Sequence, residues 1–395
     1  MADRAFGKRD FLKLAGGGLI ASAWGQRALA QDGRVLGLDL PKQVVDLIPR
    51  KPLNYLRIAD AVLQLEREAD RKGLPNSPLE TQKGQSLADI ADSLYQMAMP
   101  RLVALIDRSE QIDPPFADKA GELLADLHQS QHELPEALRL GLEDIRLKPL
   151  LPEKRRYLVE PETPQGEIIF VPGAPQAPNL PPPAEVAVPP VVDEPDRPLS
   201  KSRDFAALKG EYGRLFRKLT VRPQYQETVD WHMALIRKSR GRYESVEAQT
   251  GVPWHFIAVT HGLEASFNFR AHFHNGDFPL TARTRQVPAG RPTKWLPPSD
   301  WESSAKDALR LLGYVGQTDW SLERTLYRLE AYNGLGYRSL GVPTPYLWSF
   351  SNLYERGKFV ADGKFSQTAK SQQCGAAVML KLLADAGDIR LDPAG

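Results

Sequence analysis

The chain has 395 residues, of which 42% are hydrophobic and 25% are charged, which excludes full-length disorder and a protein made of many membrane spans. Residues 31–200 hold 19 basic and 28 acidic side chains, whereas residues 201–395 hold 27 and 19, so the second half is predicted to favour anionic partners. The only cysteine, Cys374, excludes an intramolecular disulfide framework and a cysteine-based zinc finger.

The first thirty residues are typical of an export signal. A basic segment precedes a short apolar run over 14–24, and Ala28-Leu29-Ala30 is a small-x-small site that predicts cleavage after Ala30. Residues 7–13 (Gly-Lys-Arg-Asp-Phe-Leu-Lys) resemble the twin-arginine export motif, with a lysine in place of the first arginine. The run is too short for a permanent membrane anchor. We therefore expect a periplasmic protein that is not inserted in the membrane once the signal is removed.

Residues 31–160 are predicted to form a separate helical domain. Apolar residues recur at helical spacing over 52–72 and 86–109, although Pro100 should kink or break the second stretch, and a further helix is predicted over 122–147. His128 and His132 are predicted to lie at the surface. The role of this domain is open, and a protein partner is one option.

Residues 161–200 are predicted to be a linker. Twelve prolines fall within 161–198, a composition that favours polyproline II and a semi-rigid spacer. A proline-rich ligand for another domain is the alternative.

Residues 201–395 are predicted to form a second, mainly α domain with a small β or irregular region over 268–298. This domain holds six of the seven tryptophans. Its predicted helices cover 204–219, 225–239, 242–250, 253–267, 300–312, 320–333 and 369–386.

Glu264 is the residue best suited to catalysis. Pro253 suits the first turn of a helix, and Glu264 follows near the end of that helix among apolar residues. A carboxyl group in apolar surroundings is expected to have a raised pKa, and such an acid can protonate a departing sugar oxygen. The alternative is a glutamate at a helix end that points to water.

Two motifs carry a resemblance to a known family. Residues 264–268 (Glu-Ala-Ser-Phe-Asn) resemble the Glu-Ser-x-Phe-Asn signature of soluble lytic transglycosylases and goose-type lysozymes, and residues 331–336 (Ala-Tyr-Asn-Gly-Leu-Gly) resemble their Ala-Tyr-Asn-x-Gly motif. Together with residues 274–277, 280–284 and 345–352, they resemble bacterial and phage lysozyme-like hydrolases over about 245–385. The resemblance implies a lysozyme-like α+β catalytic domain in which Glu264 is the catalytic acid.

Two reaction outcomes stay open from the sequence. A hydrolase usually needs a second carboxylate, and Asp277, within the turn sequence Asn275-Gly276-Asp277, is the best one in the chain. The resemblance implies that a lytic transglycosylase manages with one acid, because the 6-hydroxyl of the sugar attacks and gives an anhydro product. Asp277 closing a turn is the structural alternative.

Further residues are predicted to bind substrate. Tyr332 suits stacking on a sugar ring and Asn333 suits an N-acetyl group. Ser266, one position from the family's serine, and Thr284 and Gln286 are assigned to the same site. Four tryptophans would suit stacking subsites but favour core positions: Trp295, Trp301, Trp320 and Trp348.

No cofactor or metal is predicted. A metal site would have to use His261, Glu264, His272 and His274, but a His-Glu-x-x-His motif is missing, and His261 is better placed as a supporting partner of Glu264. Cys374 is predicted to be buried, since the sequence around it has no motif of a cysteine hydrolase.

The leading hypothesis is a periplasmic enzyme that cleaves the β-1,4 bond between N-acetylmuramic acid and N-acetylglucosamine in peptidoglycan glycan strands. A non-catalytic peptidoglycan-binding or scaffold protein that retains the fold is the alternative. Nucleic-acid binding is not expected of an exported chain without a recognisable reading motif.

Overall fold

The computed structural model describes residues 34–35, 38–39, 55–74, 87–130, 198–294, 300–361 and 363–393. The predicted signal over 1–30 and nearly all of the predicted linker lie outside these ranges. His132 and Trp295 also lie outside them. The predictions made for these parts stay predictions.

The described part of the chain is mainly helical, as predicted. Its helices are α1 Tyr55–Arg71, α2 Leu87–Ser109, α3 Pro114–Ser130, α4 Phe205–Lys218, α5 Gln226–Lys238, α6 Arg240–Thr250, α7 Trp254–Ala265, α8 Trp301–Leu311, α9 Leu322–Asn333, α10 Gly336–Leu340, α11 Pro345–Trp348 and α12 Ala376–Asp385. None of them is both long enough and apolar enough to cross a membrane.

Two helices in the first half differ from their prediction. Helix α2 continues through Pro100, so the proline does not break it, whereas the predicted kink stays a prediction; the Arg101 guanidinium donates a hydrogen bond to the Met97 carbonyl beside it. Helix α3 begins eight residues earlier than predicted. Asp113 precedes it and accepts a hydrogen bond from the backbone N–H of Phe116 at 3.1 Å, and Pro114 occupies the first position, so the start has the usual chemistry of a helix N-terminus.

The β structure is small, and the described part of the predicted β or irregular region is irregular. Strands β1 Arg34–Val35 and β2 Leu38–Asp39 pair antiparallel, as do β3 Lys358–Ala361 and β4 Lys364–Ser366. Within 268–294 the structure has turns and no strand. The hairpin of residues 358–366 was not predicted from the sequence.

Helix α7 lies at the centre of the fold. All twelve of its residues are buried, and it packs against α3, α5, α6, α9 and α12. A helix that is apolar on every face is expected to be enclosed by other helices. The C-terminal end of α7 is therefore surrounded by protein on all sides.

Helices α1, α2 and α3 belong to the same compact unit as residues 199–395. Polar contacts join the two parts, among them Lys238 to Asp107 at 2.5 Å and Arg270 to Glu110 at 3.1 Å. The first described helices thus pack directly on the part of the chain that carries Glu264. The boundaries drawn between the predicted domains stay predictions.

Candidate active site

The turn after α7 has an unusual backbone. Ser266 and Phe267 both adopt the left-handed conformation, with φ angles of 52° and 58°, which costs a residue with a side chain on the order of 1–3 kcal/mol. The Phe267 ring lies over Gly262, where a Cβ atom would come within 2.5 Å of it. Gly262 is therefore required for the close packing of this ring against α7.

The Ser266 hydroxyl is enclosed by the first half of the chain. Its Oγ lies 2.6 Å from the hydroxyl of Tyr95 on α2 and 2.8 Å from Nδ1 of His128 on α3. Asn268 donates to the Gly121 carbonyl at 2.8 Å. The prediction that His128 lies at the surface is wrong, because α3 packs on this turn and buries the imidazole. Ser266 has no exposed surface with which to bind a sugar.

Two tyrosines from distant segments lie near Glu264. The Tyr346 hydroxyl donates to Glu264 Oε1 at 3.1 Å, and the rings of Tyr346 and Tyr332 lie nearly parallel with centroids 6.4 Å apart. Burial and the nearby Glu264 charge raise the pKa of both tyrosines well above the ordinary value. Both phenols therefore stay protonated and can act as donors at any physiological pH. Tyr332 was a predicted site residue, whereas Tyr346 was not.

The carboxylate of Asp277 accepts hydrogen bonds from a loop. Its Oδ2 accepts from the backbone N–H groups of Arg285 and Gln286 at 2.7 and 2.8 Å, and its Oδ1 accepts from the Gln129 side chain at 3.3 Å. The carboxylate is buried. Asp277 thus has the contacts of a turn-closing residue, which was the structural alternative to a second catalytic carboxylate.

Thr284 and Gln286 also serve this loop. The Thr284 hydroxyl donates to the Pro288 carbonyl at 2.5 Å and accepts from the Arg291 backbone N–H at 2.9 Å. The Gln286 side chain is exposed and donates to Gln129 Oε1 at 2.6 Å. Of the two, Gln286 is the one whose side chain is open to solvent.

The remaining predicted sugar-site residues are spread through the fold. Asn333 is half-buried and ends α9 next to Tyr332. Trp301 and Trp348 are buried in the core, and Trp320 is half-buried against Phe256. Core packing is therefore the role of these tryptophans, as the sequence favoured.

His261 contacts aromatic residues of the core. Its Nδ1 is 3.1 Å from the Tyr243 hydroxyl, and its ring packs on Phe269 and Trp301 with centroids 4.5 and 4.6 Å away. Burial lowers the pKa of His261 to about 3. The observed contacts of His261 are those of a neutral core residue, and its role as a supporting partner of Glu264 stays a prediction.

The other histidines considered as metal ligands make hydrogen bonds to protein groups, and both contact the Ser304 hydroxyl, at 3.1 and 3.2 Å. His272 contacts the Ala282 carbonyl at 2.7 Å, and His274 contacts Asp307 at 2.9 Å. In the described ranges, no group of three or more His, Cys, Asp or Glu side chains is arranged to hold a metal ion. Cys374 is buried as predicted, and burial raises the pKa of its thiol.

The described residues line two cavities, of which the smaller lies beside a predicted site residue. One of about 20 Å³ lies beside Tyr332 and His274, room for roughly one water molecule. A larger one of about 640 Å³ lies on α1 and α3, is lined by Arg67, Glu68 and Lys119, and does not include Glu264. The hydrogen bond from Tyr346 to the buried Glu264 is the stronger guide to chemistry, since the larger cavity is lined by charged side chains of both signs together with apolar ones such as Leu65.

Comparison with known protein families, characterised proteins and solved structures finds no match to this chain. Its function is therefore inferred from the geometry around Glu264.

Proposed function

We propose that this protein is a periplasmic enzyme that cleaves the β-1,4 bond between N-acetylmuramic acid and N-acetylglucosamine, with Glu264 as the general acid. One observation carries the proposal: a buried carboxyl group at the end of α7 accepts a hydrogen bond from Tyr346, whose ring lies beside that of Tyr332. The two motifs of the lysozyme-like resemblance are thereby brought to one place. The excess of basic residues in the second half suits an anionic polymer as substrate.

The contacts of Asp277 favour a reaction with a single carboxylate. Glu264 gives its proton to the departing glycosidic oxygen as the bond from that oxygen to C1 breaks. The 6-hydroxyl oxygen of the same muramyl sugar then bonds to C1, and its proton returns to Glu264, so the catalyst is regenerated. A hydrolase would instead need a carboxylate free to activate water or to attack C1, and both oxygens of Asp277 accept hydrogen bonds from the protein.

The test is digestion of purified sacculi by the full mature chain, followed by mass spectrometry of the soluble products. We expect muropeptides with anhydro-muramyl ends. Glu264→Gln should abolish their release, whereas Glu244→Gln, at an exposed helix position paired with Arg240, should leave it unchanged. Reducing ends would support hydrolysis instead, and undiminished release by Glu264→Gln would remove Glu264 from its role.

A second candidate is a peptidoglycan-binding protein that retains the fold without cleaving glycans. The observation in its favour is the burial of Glu264, whose residue surface is only 5% exposed. Co-sedimentation of the protein with sacculi, without soluble products, would favour binding alone.

A further inference from the structure

Two residues of the first half of the chain meet at the turn that follows Glu264. We propose that Tyr95 and His128 are positioning residues, which hold Ser266 and through it the Glu264 carboxyl group in the geometry needed for proton transfer. This inference rests on the proposed function. It assigns a task in that function to α2 and α3, for which the sequence indicated no site chemistry.

The buried hydroxyl of Ser266 has two hydrogen-bond partners from the first half of the chain. A serine hydroxyl donates one hydrogen bond and accepts up to two, and Ser266 Oγ has two partners at 2.6 and 2.8 Å, the Tyr95 hydroxyl and the His128 imidazole. The residue is fully buried, so water does not replace either partner. Removal of one partner therefore leaves a buried polar group poorly satisfied.

The backbone couples this hydroxyl to Glu264. Ser266 is the left-handed residue that ends α7, and its N–H donates to the Gly262 carbonyl at 3.1 Å. Glu264 lies two residues before it, within the last turn of the helix. Because the left-handed conformation is unfavourable for serine, it persists only where the surroundings fix it. Tyr95 and His128 supply that constraint.

Helix α3 also fixes the loop on the other side of Glu264. A Cβ atom on Gly276 would come within 2.6 Å of the Glu264 carbonyl oxygen and 3.1 Å of His128 Cδ2, so these three backbone and ring positions meet at one point. Gln129, the residue after His128, contacts both Asp277 and Gln286. The final described turn of α3 therefore contacts both the turn that follows Glu264 and the loop that Asp277 holds.

The experiment compares steady-state cleavage of soluble glycan strands by full-length variants. His128→Leu removes the contact, whereas His128→Asn keeps an amide group where Nδ1 stands. Tyr95→Phe removes only a hydroxyl and serves if His128→Leu fails to fold. Lys238→Gln is the matched control, since it breaks an exposed ion pair with Asp107 that joins the same two parts of the chain.

We expect His128→Leu and Tyr95→Phe to lower kcat roughly tenfold to a hundredfold, because small displacements of a catalytic group are costly. KM should change less than about twofold, since the substrate contacts remain. His128→Asn should recover most of kcat, and Lys238→Gln should match the unmodified protein. A role in stability alone would shift the unfolding temperature without this division between kcat and KM.

The outcomes separate the two proposals. If Glu264→Gln is inactive while His128→Leu and Tyr95→Phe keep the original kcat, the positioning role is overturned and the proposed function stands. A rise in the kcat of His128→Leu or Tyr95→Phe also overturns the positioning role, because the contacts from α2 and α3 would then slow the reaction. If Glu264→Gln retains full activity, or the unmodified chain releases nothing, both proposals fail together.

Discussion

The central helix α7 should make the protein sensitive to acid, because it carries two buried histidines. Burial lowers the pKa of His255 to about 4 and that of His261 to about 3, from an ordinary value of 6.5. Burial likewise lowers the pKa of His232 on α5 to about 4. Each ring is neutral in the folded protein but binds a proton in the unfolded chain below pH 6.5. Their contribution to stability is therefore complete above pH 6.5 and is lost as the pH falls towards the folded pKa.

The magnitude follows from the size of the shifts. Between pH 8 and pH 5, the protonation of each such histidine in the unfolded chain lowers the stability of the fold by about 2 kcal/mol, since one pH unit below pH 6.5 corresponds to about 1.4 kcal/mol. The three together lose about 6 kcal/mol, a large part of the roughly 5–15 kcal/mol that holds a domain folded. Glu122 and Glu247 change the stability in the opposite direction. Burial raises the pKa of their carboxyl groups, so the folded protein takes up their protons more readily than the unfolded chain does as the pH falls.

His255→Phe isolates one of these contributions. The ring packs edge-on to Trp254, and its buried Nε2 has no hydrogen-bond partner in the described part of the chain, so phenylalanine replaces it without breaking a bond. Urea unfolding at pH 8 and pH 5, followed by tryptophan fluorescence, gives the free energy of unfolding for both proteins. The loss between the two pH values should be about 2 kcal/mol smaller for the variant. An equal loss in both proteins would refute the assignment of a neutral, buried His255.

Two further substitutions test the packing that supports the site. Gly262→Ala places a methyl group 2.5 Å from the Phe267 ring. We therefore expect this variant to lower both the unfolding temperature and the rate of sacculus digestion. The control variant, Gly241→Ala, lies on α6 with open space around it and should change neither. Arg338→Met leaves the buried carboxylate of Glu330 without its bidentate partner and should cost about 3–5 kcal/mol in urea unfolding; a loss below about 1 kcal/mol would contradict this.

Local sequence signals predicted the helices and one part of the site. Pro253 and the apolar run after it placed α7 within two residues at each end, and the same reasoning put Glu264 near its end. The Tyr-Asn motif pointed to Tyr332, which lies next to Tyr346. Such features depend on residues close together in the chain, and spacing and turn chemistry report them well.

Contacts between distant segments were not predictable in this way. His128 and Ser266 are 138 positions apart, and a histidine on an amphipathic helix does not indicate which element will cover it. Tyr346 lies in a segment that carried the resemblance, yet nothing in that segment distinguished it as the residue that reaches Glu264. The turn sequence around Asp277 allowed both a catalytic and a structural carboxylate, and only the hydrogen bonds from residues 285 and 286 favour the second.

The strained turn after Glu264 explains why the two halves of the chain depend on each other. Two consecutive left-handed residues, Ser266 and Phe267, are unfavourable in isolation by an amount comparable to several ordinary hydrogen bonds. The Phe267 ring offsets part of this cost by packing within the second half, whereas the hydroxyl of Ser266 has Tyr95 and His128 of the first half as its partners among the described residues. A fragment beginning at residue 201 would keep Glu264, Tyr332 and every residue of the two motifs, yet lose the contacts that hold the turn. Removing α2 and α3 should therefore impair the site as severely as a substitution within the motifs themselves.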